Sequence, residues 1–146
     1  SSISMLTPVT QLSWDDLDTL RHNKKTTPFS GTCAILDKHN NALWFSKQII
    51  PAMRKEADYR LASQFSPVFR HIGLYAYSRA LLEQYVTWPP GHYEQLEGLE
   101  QLRVLEQGHA IRCVKVRSDY PLPSGVDSPE DLKRVEALIA SHKALA

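Results

Sequence analysis

Long apolar runs are missing from this chain, and so are a surplus of either charge and any framework of cysteines. No segment approaches the roughly 20 apolar residues that a membrane-spanning helix needs. The opening stretch SSISMLTPVTQ has neither the basic flank nor the apolar centre of a secretory leader. A cytoplasmic protein with no membrane partner is expected on these grounds. With 17 basic and 16 acidic residues the net charge is +1, which gives no electrostatic footprint for nucleic acid or an anionic surface. Cys33 and Cys113 are the two cysteines. They are too few for a disulfide framework, and neither lies in a CxxC or a Cys and His spacing that closes a zinc site, so both read as reduced and structural. There is no GxGxxG and no Walker loop, and the pair Lys24, Lys25 has no glycine-rich turn beside it.

What is present suffices for one ordinary domain, since the 146 residues are 42% hydrophobic and 23% charged. The organising stretch is residues 69–85, FRHIGLYAYSRALLEQY. As an extended chain it places His71, Gly73, Tyr75 and Tyr77 on one side and Ile72, Leu74 and Ala76 on the other. Ser78 then caps a helix in which Leu81, Leu82, Tyr85 and Val86 recur at helical spacing. His71 and the tyrosines are either satisfied core groups or groups that face a ligand, and the stretch alone leaves both readings open.

Around this centre the chain divides into short elements. Residues 5–10, MLTPVT, suit a short strand that Pro8 would confine to an edge or a strand end. Ser13, followed by Asp15 and Asp16, caps a helix carrying Leu17 and Leu20. Residues 21–30 form a polar loop in which Arg21, Lys24 and Lys25 read as a solvated face. CAILDKHNNALWF reads as a hairpin, with Ser46 and Lys47 at its end where a hydroxyl and an ammonium can face a cleft. Residues 51–66 are charged and irregular, which suits a surface loop or short helix. TWPPGH is a rigid connector, and residues 93–107, YEQLEGLEQLRVLEQ, are expected to form one continuous helix stopped by Gly108. On that helix Glu94, Glu97 and Gln101 share a polar side with Glu100 beside it.

Residues 110–116, AIRCVKV, alternate as a strand with one buried face, and after a proline-rich loop Ser128, Pro129 and Asp131 open a last helix. Asp127 is not needed for that cap. A carboxylate fixed on such a loop is either an alternate cap or a ligand for a hard cation such as Mg²⁺.

The ordered words HIGLYAY, YVTW before prolines, EQLRVLEQG and GVDSPEDLKRV, together with the hairpin end ALWFSK, closely resemble the 3-deoxy-manno-octulosonate cytidylyltransferase (CMP-Kdo synthetase) family from about Thr7 onward. The resemblance implies the C-terminal part of an α/β, nucleotide-diphospho-sugar transferase-like (Rossmann-like) three-layer fold with a mixed sheet. It also implies transfer of CMP from CTP to the sugar acid Kdo, with pyrophosphate released, for lipopolysaccharide synthesis. On that basis His71 and Tyr75 contact the sugar acid, Glu100 and Gln101 bond its hydroxyls, and Asp127 is one of two Mg²⁺ carboxylates and the catalytic residue. Lys47 stands where the family usually has arginine facing the sugar carboxylate, so the charge is kept and the bidentate fork is lost. This leaves room for a sister enzyme using another 2-keto sugar acid.

The family's N-terminal half, with its CTP loop and first metal aspartate, has no counterpart in these residues. The chain is therefore expected to be a fragment, one part of a split enzyme, or a non-catalytic remnant of the fold. It would serve as the sugar-acid-binding and dimer-forming portion, inactive by itself, and the complete protein is expected to be a homodimer.

Overall fold

Burial alternates between residues 5 and 9, and it turns Met5, Thr7 and Val9 to one face of a strand. In the computed structural model this strand, β1 (Met5–Ser13), is the axis of a six-stranded sheet. The structure describes residues 3–117 and, beyond them, the helical residues 132, 133, 135–137, 139 and 140. β4 (Phe65–His71) runs antiparallel to β1, and the two-residue β5 (Ala76–Tyr77) resumes that pairing farther along. β6 (Arg112–Lys115) lies parallel to β1, which makes the sheet mixed. The hairpin of β2 (Cys33–Leu36) and β3 (Ala42–Ser46) joins through β2 to β4. Its tip arches back to β6, where Ala42 N donates to Ile111 O at 2.9 Å and Cys113 N to Asn40 O at 2.8 Å. The sheet is thus curled rather than open.

Helices cover both faces. α1 (Trp14–Asn23) starts at Ser13, whose hydroxyl accepts from Asp16 N, and buries Trp14, Leu17 and Leu20 against Leu12, Cys33 and Val68. On the other face α3 (Arg79–Tyr85) is capped by Ser78, while α4 (His92–Glu97) and α5 (Leu102–Glu106) follow. Leu81, Leu99, Leu102 and Val104 pack there with Met5, Val9, Phe45, Ile111 and Cys113. This is the expected layered α/β arrangement. α2 (Glu56–Ala62) buries no residue and is tied to α1 by Arg21 and Arg60, which both reach Glu56 and Asp18. Cys33 and Cys113 are free and buried, and burial raises both thiols, Cys113 to about 12, so they are inert structural groups as expected.

Four expectations need correction. The first strand is central, not marginal. Pro8 is tolerated inside it because it lies where β4 ends, so its missing donor interrupts no ladder, and its carbonyl accepts from Ile72 N at 3.0 Å. The single strand expected through residues 69–77 is two strands separated by a turn, and Leu74, expected on a buried face, is 66% exposed. Lys24 is no solvated cation. Its ammonium donates to the carbonyls of Ser30 at 2.6 Å, Gly31 at 3.0 Å and Lys47 at 2.6 Å, and burial lowers its pKa.

The helix expected over residues 93–107 is broken into α4 and α5 at Gly98, which adopts a left-handed φ of 64°. The cap returns Leu99 N to Glu94 O at 3.2 Å, turning the chain before α5 begins. Arg103 re-ties the two helices through a bidentate pair with Glu94, at 2.6 and 2.7 Å. The last helix is described only at the residues given above, all within the span expected for it, and Asp127 and Ser128 lie outside the described residues.

A Cβ at residue 98 would meet no atom within 4 Å, so a substitution there is penalised only through the backbone. Gly98→Ala should cost about 1 kcal/mol in urea unfolding and Gly98→Asn less, because asparagine tolerates this conformation better. Equal stability of Gly98→Ala and wild type would mean that the break does not depend on a left-handed residue.

Candidate functional site

The site grows from the end of β4. Alternation along this strand sends Val68 to the α1 face and His71 to the other, where the imidazole is 9% exposed. There its Nε2 lies 2.8 Å from the Thr7 hydroxyl of β1. Thr7 Oγ1 also reaches the carbonyls of Leu74 at 2.9 Å and Ile72 at 3.4 Å, so one side chain ties the strand end to the turn that follows it. The imidazole packs edge-on against Phe45 of β3, with ring centroids 5.0 Å apart, and lies 5.5 Å from the ring of Tyr75. Burial, and then the charge of Lys47, lower its pKa to about 4, so the ring is neutral near pH 7.

Tyr75 comes from the turn between β4 and β5, and its hydroxyl donates to Gln101 Oε1 at 3.0 Å. Gln101 lies in the turn that Gly98 opens, between α4 and α5, and is fully buried. Its Nε2 has no partner among the described residues. A buried donor left unpaired costs on the order of 1–3 kcal/mol, so this is a group that a ligand oxygen would satisfy. Burial and the neighbouring Glu100 carboxylate push the Tyr75 phenol far above its ordinary value. Glu100 itself is exposed, and its carbonyl accepts from Tyr85 OH at 3.3 Å. Tyr77 and Tyr85 extend the aromatic wall at centroid spacings near 6 Å, with the Arg103 guanidinium 4.5 Å over the Tyr85 ring. Tyr77 is raised to about 12, by burial first and then by Tyr85.

Lys47 follows β3, and both of its backbone polar groups are held by side chains. Its N–H donates to Glu97 Oε2 at 2.8 Å, and its carbonyl accepts from Lys24 Nζ at 2.6 Å. The other Glu97 oxygen accepts from the Ser46 hydroxyl at 2.7 Å. Glu97, expected on a solvated helix face, is instead the link between α4 and the end of β3.

The structure therefore brings together Lys47, His71, Tyr75, Glu100 and Gln101 from the ends of β3 and β4, the turn after β4, and the break between α4 and α5. Glu100 and Gln101 do not share a helix face with Glu94, because the helix is interrupted. Asp127 lies outside the described residues. Among the described residues no group of three or more His, Cys, Asp or Glu could hold a metal ion.

Thr7, Lys24 and Glu97 were not legible as site residues. Thr7 alone had a signal, its place between Met5 and Val9 on the buried face of β1. A separate surface cleft of about 540 Å³, lined by Pro51, Met53, Arg54, Tyr59 and Pro67 among others, shares no residue with this cluster.

Residues 16–113 match the family model described as cytidylyltransferase. The chain is 48% identical over 101 residues to the 3-deoxy-manno-octulosonate cytidylyltransferase of Acinetobacter baumannii (strain AYE), covering 69% of this chain and 39% of that protein. It is 40% identical over 146 residues to the enzyme of the same name from Maricaulis maris (strain MCS10), covering 99% and 53%. It is 42% identical over 103 residues to the 8-amino-3,8-dideoxy-manno-octulosonate cytidylyltransferase of Shewanella pealeana, covering 70% and 38%. A solved structure of CMP:2-keto-3-deoxy-manno-octonic acid synthetase complexed with CTP superposes with a TM-score of 0.71 at 28% identity, over 97% of this chain and 51% of that one. The chain thus spans about two fifths to one half of the length of these relatives.

Neutral His71 makes stability pH-dependent with a defined sign. Its folded pKa of about 4 lies below the ordinary 6.5, so the unfolded chain binds the proton more readily. The contribution is complete above about 6.5 and is lost as pH falls toward 4. The urea midpoint of the wild type should fall more steeply across that window than that of His71→Gln, by an amount equivalent to about 2 kcal/mol. Parallel curves would show that the imidazole titrates normally.

Proposed function

Because the chain belongs to the cytidylyltransferase family, we propose that it is the sugar-acid-binding portion of an enzyme that transfers CMP from CTP to 3-deoxy-D-manno-octulosonate (Kdo), releasing pyrophosphate, for lipopolysaccharide synthesis. The observation that carries this reading is the convergence, from separate elements, of a cation, a neutral imidazole, a phenol and a carboxamide whose buried Nε2 has no partner among the described residues. That donor set suits a ligand with one negative charge and several hydroxyls. Lys47 would meet the sugar carboxylate as a point charge. Tyr75, Glu100 and Gln101 would bond hydroxyls, and His71 would contact the same ligand.

The chemistry asked of the protein is mainly positioning, so that the anomeric hydroxyl of the sugar acid meets the α-phosphate of CTP in line. Mg²⁺, with Asp127 as one of its ligands and as the catalytic residue, belongs to this proposal, and when bound it would neutralise phosphate charge. A cytoplasmic homodimer is proposed for the complete protein. Among the described residues no helix is long and apolar enough to cross a membrane.

Lys47 favours a second reading, a cytidylyltransferase for another 2-keto sugar acid, of which the 8-amino-3,8-dideoxy-manno-octulosonate cytidylyltransferase of Shewanella pealeana is an example. A third reading is a non-catalytic module that keeps the fold.

Calorimetric titration of the protein with Kdo and with its 8-amino analogue separates these readings. Kdo should bind preferentially. Lys47→Met should weaken it about tenfold and Lys47→Arg should leave it within about threefold, since a charged hydrogen bond is at stake. Preference for the analogue moves the assignment to the second reading, and no binding of either sugar acid favours the third. The 146-residue chain alone should release no pyrophosphate from CTP and Kdo, and robust release would overturn its assignment as one portion of the catalyst.

A further inference from the structure

Thr7 resolves a question that the position of His71 leaves open, which is how the ring is protonated. Its single hydroxyl hydrogen has two carbonyls within reach, Leu74 O at 2.9 Å and Ile72 O at 3.4 Å, and a carbonyl can only accept. With that hydrogen committed to Leu74, Thr7 Oγ1 is left as an acceptor toward His71 Nε2, 2.8 Å away. The ring nitrogen in that contact must then carry its own hydrogen. Nδ1 bonds no described residue, and the residue is 9% exposed, so Nδ1 is the ring nitrogen left to meet a ligand.

We propose that Thr7 is a positioning residue that fixes His71 as the neutral Nε2–H tautomer, and that Nδ1 thereby serves as an acceptor for a hydroxyl of the bound sugar acid and not for its carboxylate. A carboxylate brings no hydrogen to donate and would be repelled by the Nδ1 lone pair, whereas a hydroxyl supplies the donor that this nitrogen lacks. The neighbouring groups divide the ligand in the same way. Lys47 is the cation close enough to act on the imidazole, and Phe45 and Tyr75 wall the ring at centroid distances of 5.0 and 5.5 Å. The contact is set by a bond between β1 and β4, residues 64 positions apart, so the acceptor is built into the sheet rather than arranged when ligand arrives. The hydroxyl assignment rests on the sugar-acid reading of the site, whereas the tautomer rests on this geometry alone.

Two-bond ¹H–¹⁵N correlation spectra of the intact protein at pH 7.5, recorded without ligand and with Kdo, test both. Wild type and Thr7→Ser should show His71 as the Nε2–H form with an unprotonated Nδ1. Thr7→Val should show a mixture of tautomers or the Nδ1–H form, and its Kdo affinity should fall about tenfold while that of Thr7→Ser stays within about twofold. Kdo should move the Nδ1 resonance in the direction of an accepted hydrogen bond.

A wild-type ring that is Nδ1–H or doubly protonated overturns the proposal, and so does a Thr7→Val spectrum identical to wild type. Kdo that binds without moving Nδ1 overturns the hydroxyl assignment. The expected tautomer with no Kdo binding supports the Thr7 role and counts instead against the sugar-acid reading. Should Thr7→Val fail to fold, the wild-type and Thr7→Ser spectra still decide the tautomer.

Discussion

The carboxylate of Glu97 is the point at which sheet and helices are fastened together. One oxygen takes the Ser46 hydroxyl and the other takes the Lys47 amide, so the end of β3 is fixed to the last turn of α4 by two charge-assisted bonds. From the opposite side Lys24 grips the Lys47 carbonyl together with those of Ser30 and Gly31. A residue whose amide and carbonyl are both held by side chains has little freedom left in its backbone. The Cα–Cβ bond of Lys47 is correspondingly fixed in direction, which suffices for a point charge on a flexible stem, whereas an arginine fork would also need its plane oriented.

Glu97 immediately precedes Gly98, so the same short segment that anchors β3 also turns the chain and delivers Glu100 and Gln101. Had α4 continued, these two residues would have stayed on its polar side. The left-handed glycine buries Gln101 instead and gives its carboxamide to Tyr75. The bidentate Arg103–Glu94 pair then keeps the two halves of the broken helix at a fixed angle, with the guanidinium also lying over Tyr85. The site depends on this interruption more than on any regular element.

Legibility in the sequence followed the range of the forces involved. Caps at Ser13 and Ser78, the hairpin of β2 and β3, and the strand β6 were readable because hydroxyls, turn residues and alternation act within a few positions. The break at Gly98 was hidden by strong helix formers on both sides, whose local preference gave way to the packing of Leu99 and Leu102 in the core. Pro8 misled for a similar reason, since whether its missing donor matters depends on where β4 stops, a fact set some 60 residues away. Lys47, His71, Tyr75, Glu100 and Gln101 were named through the family resemblance, whereas Thr7, Lys24 and Glu97 act through contacts that no spacing rule encodes.

The pairing of the hairpin tip with β6 constrains the order in which the molecule can be assembled. Asn41 meets Arg112 both as a backbone bridge and through a side-chain bond of 2.9 Å, across a separation of 71 positions. During synthesis the hairpin emerges long before its partner, and until β6 is made the amide of Ala42 has only water to bond. Closure of so long a loop belongs to the slow, non-local class of folding events. The curled shape of the sheet is therefore a late acquisition, and β6 acts as the latch on a hairpin whose Asn41 is made 71 positions before Arg112.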